Sequence, residues 1–170
     1  MKTQNFGLLF FLMVLGQMVL CNFADFSPYI MLTMLPAMIM CIPTTISTAT
    51  CMLIAFASGL AVDWLAEGLI GINAASLVPV ALARKSIIRI FLGEDLIARS
   101  DSFTFKKNGF GKISIALITA LSIFFAIYIL VDGAGTRPTS FNAIRFTASV
   151  TSSFILSLIV TAVLTPDDRK

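Results

Sequence analysis

Long stretches without any charged residue dominate this chain and leave few folds open to it. Five such stretches occupy residues 3–24, 26–62, 68–83, 113–131 and 146–166. A helix needs about 20 mostly apolar residues to cross the hydrocarbon layer of a membrane. Because 58% of the 170 residues are hydrophobic and only 12% are charged, against about a quarter in soluble domains, the sequence predicts an all-α integral membrane protein.

The second stretch is too long for one helix, and Pro43 interrupts it. Proline inside a helix removes a hydrogen bond and clashes with the preceding turn, so we predict a hairpin of two short helices separated by residues 43–47. This gives six transmembrane helices in a single membrane domain, 1–170. The predicted spans are residues 6–23, 29–42, 48–66, 70–83, 112–131 and 143–165.

The basic residues are unevenly distributed in this six-span arrangement. If the amino terminus is cytoplasmic, ten of the twelve lie on the inner side and only Arg137 and Arg145 lie on the outer side. That distribution satisfies the positive-inside rule, so we expect both termini and the loop 84–111 to be cytoplasmic. The inner residues are Lys2, Arg84, Lys85, Arg89, Arg99, Lys106, Lys107, Lys112, Arg169 and Lys170.

The loop 84–111 has two interpretations. Residues 86–92 are apolar with flanking cations, which is typical of a segment that lies on the membrane surface. The loop is either a basic segment near anionic lipid headgroups, which we expect, or a specific docking loop.

Asp63 is the acidic residue in the interior of a predicted span. An ionisable group at membrane depth usually faces protein or water and usually has a role. The alternative is that Asp63 only lies near the outer interface beside Trp64. Ala55 and Gly59 precede Asp63 at intervals of four, so the three share one helix face, and small residues there allow another backbone to approach closely.

Two glycines, Gly68 and Gly71, predict a tight turn after this helix, and Asn73 opens the next helix among small residues. The pattern predicts a close-packed hairpin with Asp63 near its mouth. These residues are candidates for a structural or partner-binding site.

A second pattern lies in the last span, where Ser149, Ser153 and Ser157 repeat every four residues and Thr161 and Thr165 continue the series. Serine and threonine can donate to the carbonyl four residues earlier on their own helix. They can equally bond to a neighbouring helix. The sequence leaves both alternatives open.

Enzymatic designs have little support in the sequence. The chain has no histidine, which removes the usual general base and a common metal ligand. Its three cysteines lie in or beside apolar runs and are interpreted as small buried hydrophobes. An aspartyl mechanism needs two carboxylates close together; Asp25 and Asp132 are candidate partners for Asp63, but no motif supports either. We expect no catalysis, no cofactor, no metal and no nucleic-acid partner.

The segment from Ala55 to Lys85 resembles part of a known protein family. The order Gly59-Leu60-Ala61-Val62-Asp63, then Gly68 and Gly71, then Asn73-Ala74-Ala75 and Ala83-Arg84-Lys85 resembles the rod shape-determining protein MreD family. Chain length, six apolar segments and the basic inner loop are also similar. Members of that family often have histidine where this chain has Asn73.

The resemblance implies a non-catalytic subunit of the bacterial cell-elongation complex, which directs peptidoglycan synthesis from the inner membrane. Such a subunit binds the single-span protein MreC. It works, directly or indirectly, alongside the actin-like MreB, the glycosyltransferase RodA and a transpeptidase, and it contacts membrane lipid.

The same resemblance suggests an alternative, because the family's fold is similar to the substrate-binding S component of energy-coupling factor vitamin transporters. In those proteins, small residues spaced by four on the first helix dock the transporter core. Here the first helix offers only Gly7, Gly16 and Ala24 at wider spacing, which favours a scaffold. A lipid or small molecule near Asp63 stays compatible with the sequence.

Overall fold

The computed structural model describes residues 6–23, 29–68, 71–93, 103, 108–133 and 137–165. These ranges form helices and connecting loops, with no β-strand among them. The helices are α1 (Phe6–Phe23), α2 (Leu35–Cys41), α3 (Thr48–Val62), α4 (Ile72–Leu92), α5 (Phe110–Gly133) and α6 (Thr139–Leu164). A π-helical turn, Asp63–Glu67, continues α3 without interruption.

Within the described ranges, four helices are long and apolar enough to cross a membrane. They are α1, α5, α6 and the segment Thr48–Ala66, which joins α3 to most of the π-helical turn. The expectation of an all-helical membrane protein is therefore confirmed in its main feature.

The second predicted helix, residues 29–42, is helical only over Leu35–Cys41. Pro36 lies in the first turn of α2, where its missing N–H has no intrahelical role. A helix starting at Tyr29 would place Pro36 in its interior and lose a hydrogen bond there. Residues 29–34 are consequently non-helical, and the seven residues of α2 are all buried.

The fourth helix extends beyond its predicted end at Ala83 and stops at Leu92. The first part of the predicted loop 84–111, including the proposed surface segment 86–92, is therefore helical and continuous with α4. Charged residues such as Arg84 and Lys85 end an apolar run but are good helix formers. The helix stops at Gly93, whose φ of 98° lies in the region that glycine tolerates best.

The helices pack in sequence, α3 against α4, α4 against α5, and α5 against α6. The short helix α2 lies among them and contacts α4, α5 and α6. Helix α1 is peripheral, since only Val14 and Gln17 are buried along its length. The core is thus built around the short helix α2, and α1 lies on the outside of the core.

The α3–α4 contact depends on Gly59. A Cβ atom at this position would lie 2.6 Å from the Cα atom of Ala74 and 3.0 Å from the carbonyl carbon of Asn73. Ala55, one turn earlier, is completely buried. Small residues at this spacing let the two helix backbones approach closely.

We expect Gly59→Ala to lower the thermal unfolding temperature in mild detergent, because the added methyl group meets backbone atoms that cannot rotate away. Overpacking of this kind costs about 1 to 3 kcal/mol. The matched control is Gly7→Ala on α1, where a Cβ atom meets nothing within 4 Å, and its unfolding temperature should be unchanged or slightly higher. Equal unfolding temperatures for the two variants would contradict the close contact.

Candidate functional site

Asp63 lies at the junction of α3 and the π-helical turn and bonds to the start of α4. Its Oδ2 accepts hydrogen bonds from the backbone N–H groups of Gly71 (3.0 Å) and Ala74 (3.2 Å). Its Oδ1 accepts from the backbone N–H of Asn73 (3.0 Å) and from Asn73 Nδ2 (2.9 Å). Gly71, the N-cap residue of α4, has no side chain to cap the helix, so Asp63 supplies the cap from the preceding helix.

The turn between the two helices brings these groups together. Gly68 has a φ of 71° and Gly71 a φ of 101°, which are left-handed conformations that favour glycine. The Gly68 N–H closes the π-helical turn by donating to the Asp63 carbonyl at 2.8 Å. Both predicted turn glycines therefore have a backbone reason for their identity.

The burial of Asp63 separates the two interpretations of this residue. Asp63 is 0% exposed, whereas its neighbour Trp64 is 72% exposed. Asp63 therefore faces protein instead of merely lying beside the interface. An ionised carboxylate accepts about four hydrogen bonds, and Asp63 already accepts four. The geometry therefore gives Asp63 a structural role, joining α3 to α4, with little capacity for a ligand. One acceptor beside it, Asn73 Oδ1, is buried without a hydrogen-bond partner in the described part of the chain.

The serine series on α6 bonds to the non-helical residues before α2. Ser149 Oγ accepts from the Met31 N–H at 3.0 Å, and Ser153 Oγ accepts from the Thr33 N–H at 3.0 Å. Ser153 Oγ also donates to the Met31 carbonyl at 3.2 Å. Ser149 and Ser153 therefore bond to another part of the chain, although their partner is a non-helical segment and not the neighbouring helix that the pattern predicted.

The end of the same series bonds to its own helix and, at one position, also to α2. Thr161 Oγ1 donates to the Ser157 carbonyl at 2.8 Å, and Thr165 Oγ1, at the C-cap of α6, donates to the Thr161 carbonyl at 2.6 Å. Thr161 Oγ1 also accepts a hydrogen bond from Cys41 Sγ of α2 at 3.8 Å. Ser157 is completely buried, and its Oγ has no hydrogen-bond partner within the described ranges.

Gln17 was not predicted as a site residue but completes this contact from α1. Its Oε1 accepts from the Met34 N–H at 2.8 Å, and its Nε2 donates to the Leu32 carbonyl at 3.1 Å. Gln17 is almost fully buried. A polar amide in the middle of the mostly apolar span 6–23 is the sequence signal for this role.

Arg84 lies in a different place from the one that the sequence predicts. It was assigned to the basic inner loop, but it is a buried residue of α4. Its Nε donates to the Met40 carbonyl at 3.4 Å, and its Nη2 donates to the Ile42 carbonyl. These carbonyls lie at the carboxyl end of α2, where a helix leaves its last acceptors unpaired. Arg84 therefore caps α2.

Asp132, considered as a partner for Asp63, is engaged elsewhere. At the end of α5 its Oδ2 accepts from Arg137 Nη1 at 2.9 Å and from Arg145 Nη1. Asp25, the other carboxylate considered, lies outside the described residues. Among those residues, no three His, Cys, Asp or Glu side chains lie close enough together to hold a metal ion.

The nine predicted site residues thus belong to two separate places. Six lie along the α3–α4 contact, and three lie on α6 against residues 29–34 and α2. The first group is Ala55, Gly59, Asp63, Gly68, Gly71 and Asn73, and the second is Ser149, Ser153 and Ser157.

We expect Asp63→Leu to destabilise the protein more than Asp63→Asn does. The leucine leaves all four donors without an acceptor, whereas the amide keeps one oxygen and turns its NH₂ group towards two of them. Hydrogen bonds to charged groups contribute about 1.5 to 3 kcal/mol each, so both variants should unfold at lower temperature than the unmodified protein. Thermal unfolding in mild detergent measures the order of the two stabilities. An Asp63→Leu variant with an unchanged unfolding temperature would contradict the structural role of Asp63.

Comparison of the chain with models of known protein families, with curated proteins and with solved structures finds no significant match. The resemblance to the MreD family therefore rests on the sequence alone, on the residues between Ala55 and Lys85 and on the chain length, apolar segments and basic loop.

Proposed function

We propose that the protein is a non-catalytic membrane subunit of the bacterial cell-elongation complex and acts by binding a single-span partner such as MreC. The supporting observation is the saturated carboxylate of Asp63. The most distinctive residues of the resemblance are used to join α3 to α4, which suits a scaffold. MreB, RodA and a transpeptidase are further partners, reached directly or through MreC.

The proposal includes six membrane crossings, although only four of the described helices are by themselves long and apolar enough to cross a membrane. Six non-helical residues, 29–34, extend up to about 20 Å, and the seven residues of α2 add about 10 Å. Together they match a hydrocarbon layer of about 30 Å. Helix α4 has 21 residues and is about 31 Å long, with Arg84, Lys85 and Arg89 in its cytoplasmic half. By length, both segments can therefore complete a six-span arrangement.

In this arrangement the protein lies in the bacterial inner membrane with both termini cytoplasmic. The distribution of basic residues supports that orientation. Non-helical backbone at membrane depth is tolerated where it is buried in protein, and Gln17, Ser149 and Ser153 bond to the backbone of residues 31–34 in this way.

The alternative function is a substrate-binding component of a vitamin transporter, with a fold like that of the S component. One feature favours it, since transporters often bind substrates at discontinuous membrane segments such as 29–41. However, several backbone groups of residues 31–34 already bond to side chains of α1 and α6. That use of the polar groups favours the scaffold.

Cysteine labelling in intact cells tests the orientation. In a variant whose three native cysteines are replaced by alanine, we expect Ser102→Cys and Lys170→Cys to react with an impermeant maleimide only after the cells are opened. Thr139→Cys, at the exposed start of α6, is the matched control and should react from outside. Strong labelling of Ser102→Cys in intact cells would overturn the topology.

Affinity purification in mild detergent tests the function. The tagged protein should recover a single-span partner of the elongation complex and show no sub-micromolar binding to a panel of vitamins by calorimetry. Asp63→Leu should lose the partner and the rod shape of the cell, while Asp63→Asn retains part of both. Leu65→Ala, an exposed position on the same π-helical turn, is the control and should retain both. Tight vitamin binding, or full recovery of the partner with the Asp63→Leu variant, would overturn the proposed scaffold function.

A further inference from the structure

A charged cluster joins the end of α5 to the start of α6. Asp132 accepts hydrogen bonds from both Arg137 and Arg145. The guanidinium of Arg137 lies 5.5 Å from the ring centre of Phe141, and that of Arg145 lies 6.0 Å from the ring centre of Tyr128. We name these three charged residues and two aromatic rings the outer arginine cluster.

The charges of the outer arginine cluster do not balance. Two guanidinium groups share one carboxylate, which leaves a net charge of about +1. The side chain of Asp132 is 11% exposed, whereas that of Arg137 is 38% exposed. Arg137 binds Asp132 through Nη1, and its exposed part carries donors that can meet an external anion.

The amino end of α6 adds to this positive charge. Its N-cap residue is Pro138, and no side chain caps the helix. Thr139 and Ser140 are exposed, and the stacking on Phe141 holds the Arg137 guanidinium over the first turn. The unpaired N–H groups and the dipole of a helix amino terminus favour anions. Arg137 and the first turn of α6 therefore face the same region with the same sign of potential.

The surroundings of the cluster indicate a membrane interface. Exposed apolar side chains flank it on both helices, Leu130 and Val131 on α5 and Ile144 on α6. In the proposed orientation, Arg137 and Arg145 are the two basic residues on the outer side. Basic residues there oppose the positive-inside rule, and among the described residues Asp132 is the carboxylate that binds them, which compensates for one of the two charges.

We propose that the outer arginine cluster binds the phosphodiester headgroup of an anionic phospholipid in the outer leaflet. The planar guanidinium matches phosphate oxygens through paired donors, and one phosphodiester anion neutralises the residual positive charge. The acyl chains lie along the exposed apolar side chains of α5 and α6. This inference depends on the proposed orientation but not on the elongation partner, so partner recovery and lipid binding fail independently.

Thermal unfolding of the purified full chain in a non-ionic detergent tests the site. The midpoint is followed during titration with dioctanoyl phosphatidylglycerol, dioctanoyl phosphatidylcholine or inorganic phosphate, because a ligand that binds the folded state raises it. Phosphatidylglycerol should raise the midpoint at the lowest concentration, phosphatidylcholine should act more weakly, and inorganic phosphate should have no effect. Arg137→Gln should weaken the apparent affinity for phosphatidylglycerol about fivefold, the contribution of one basic residue near an anionic surface.

Lys112→Gln is the matched control, since it removes one exposed positive charge at the opposite end of α5 and should leave the affinity unchanged. Asp132→Asn should increase the affinity, because it raises the net charge of the cluster. Equal affinities for Arg137→Gln and the unmodified protein would overturn the site. Equal responses to the two lipids would overturn its preference for an anionic headgroup, and stabilisation by inorganic phosphate alone would assign a free anion in place of a lipid.

Discussion

The non-helical segment before α2 sets the strongest constraint on this structure, because backbone polar groups that are buried away from water must find partners within the chain. An unsatisfied group there costs several kcal/mol. Gln17 on α1 and Ser149 and Ser153 on α6 meet this demand by bonding to residues 31–34. Those three side chains consequently fix where α1 and α6 lie relative to the centre of the bundle, and Thr33 bonds locally to the Leu35 N–H.

Two buried charges repeat the same principle at helix ends. Asp63 lies at the amino terminus of α4 and Arg84 at the carboxyl terminus of α2, so each charge has the sign that complements the helix dipole it meets. Helix α4 takes part in both contacts, since its first turn donates to Asp63 and its middle supplies Arg84. It therefore links α3, which precedes it in sequence, to α2, which lies among the other helices. These charges are stabilised by backbone groups, which explains how they are accommodated in an apolar interior.

The sequence predicted those features that depend on composition and spacing. Apolar runs located α1, α3, α5 and α6, and the spacing of Gly59 and Asp63 identified the face that meets α4. The boundaries of α2 and α4 were wrong for a shared reason, since hydropathy records where a chain is apolar and not where its backbone is hydrogen-bonded. Residues 29–34 are apolar but non-helical, and the basic residues after Ala83 are helical. The partners of Gln17 and Arg84 lie far away in sequence, so local patterns carried no information about them.

The internal use of polar groups also limits how the protein can contact other molecules. Asp63, Gln17, Arg84, Ser149 and Ser153 bond to backbone groups of their own chain, and a ligand at any of these sites would have to break such bonds first. Recognition without that penalty is open to groups that are exposed, such as an apolar helix face and the outer arginine cluster. An apolar face selects a membrane-embedded helix or a lipid chain, and a net positive cluster selects an anion at the interface. Both kinds of contact act laterally in the membrane, which is consistent with the proposed role of a subunit that assembles with neighbouring proteins.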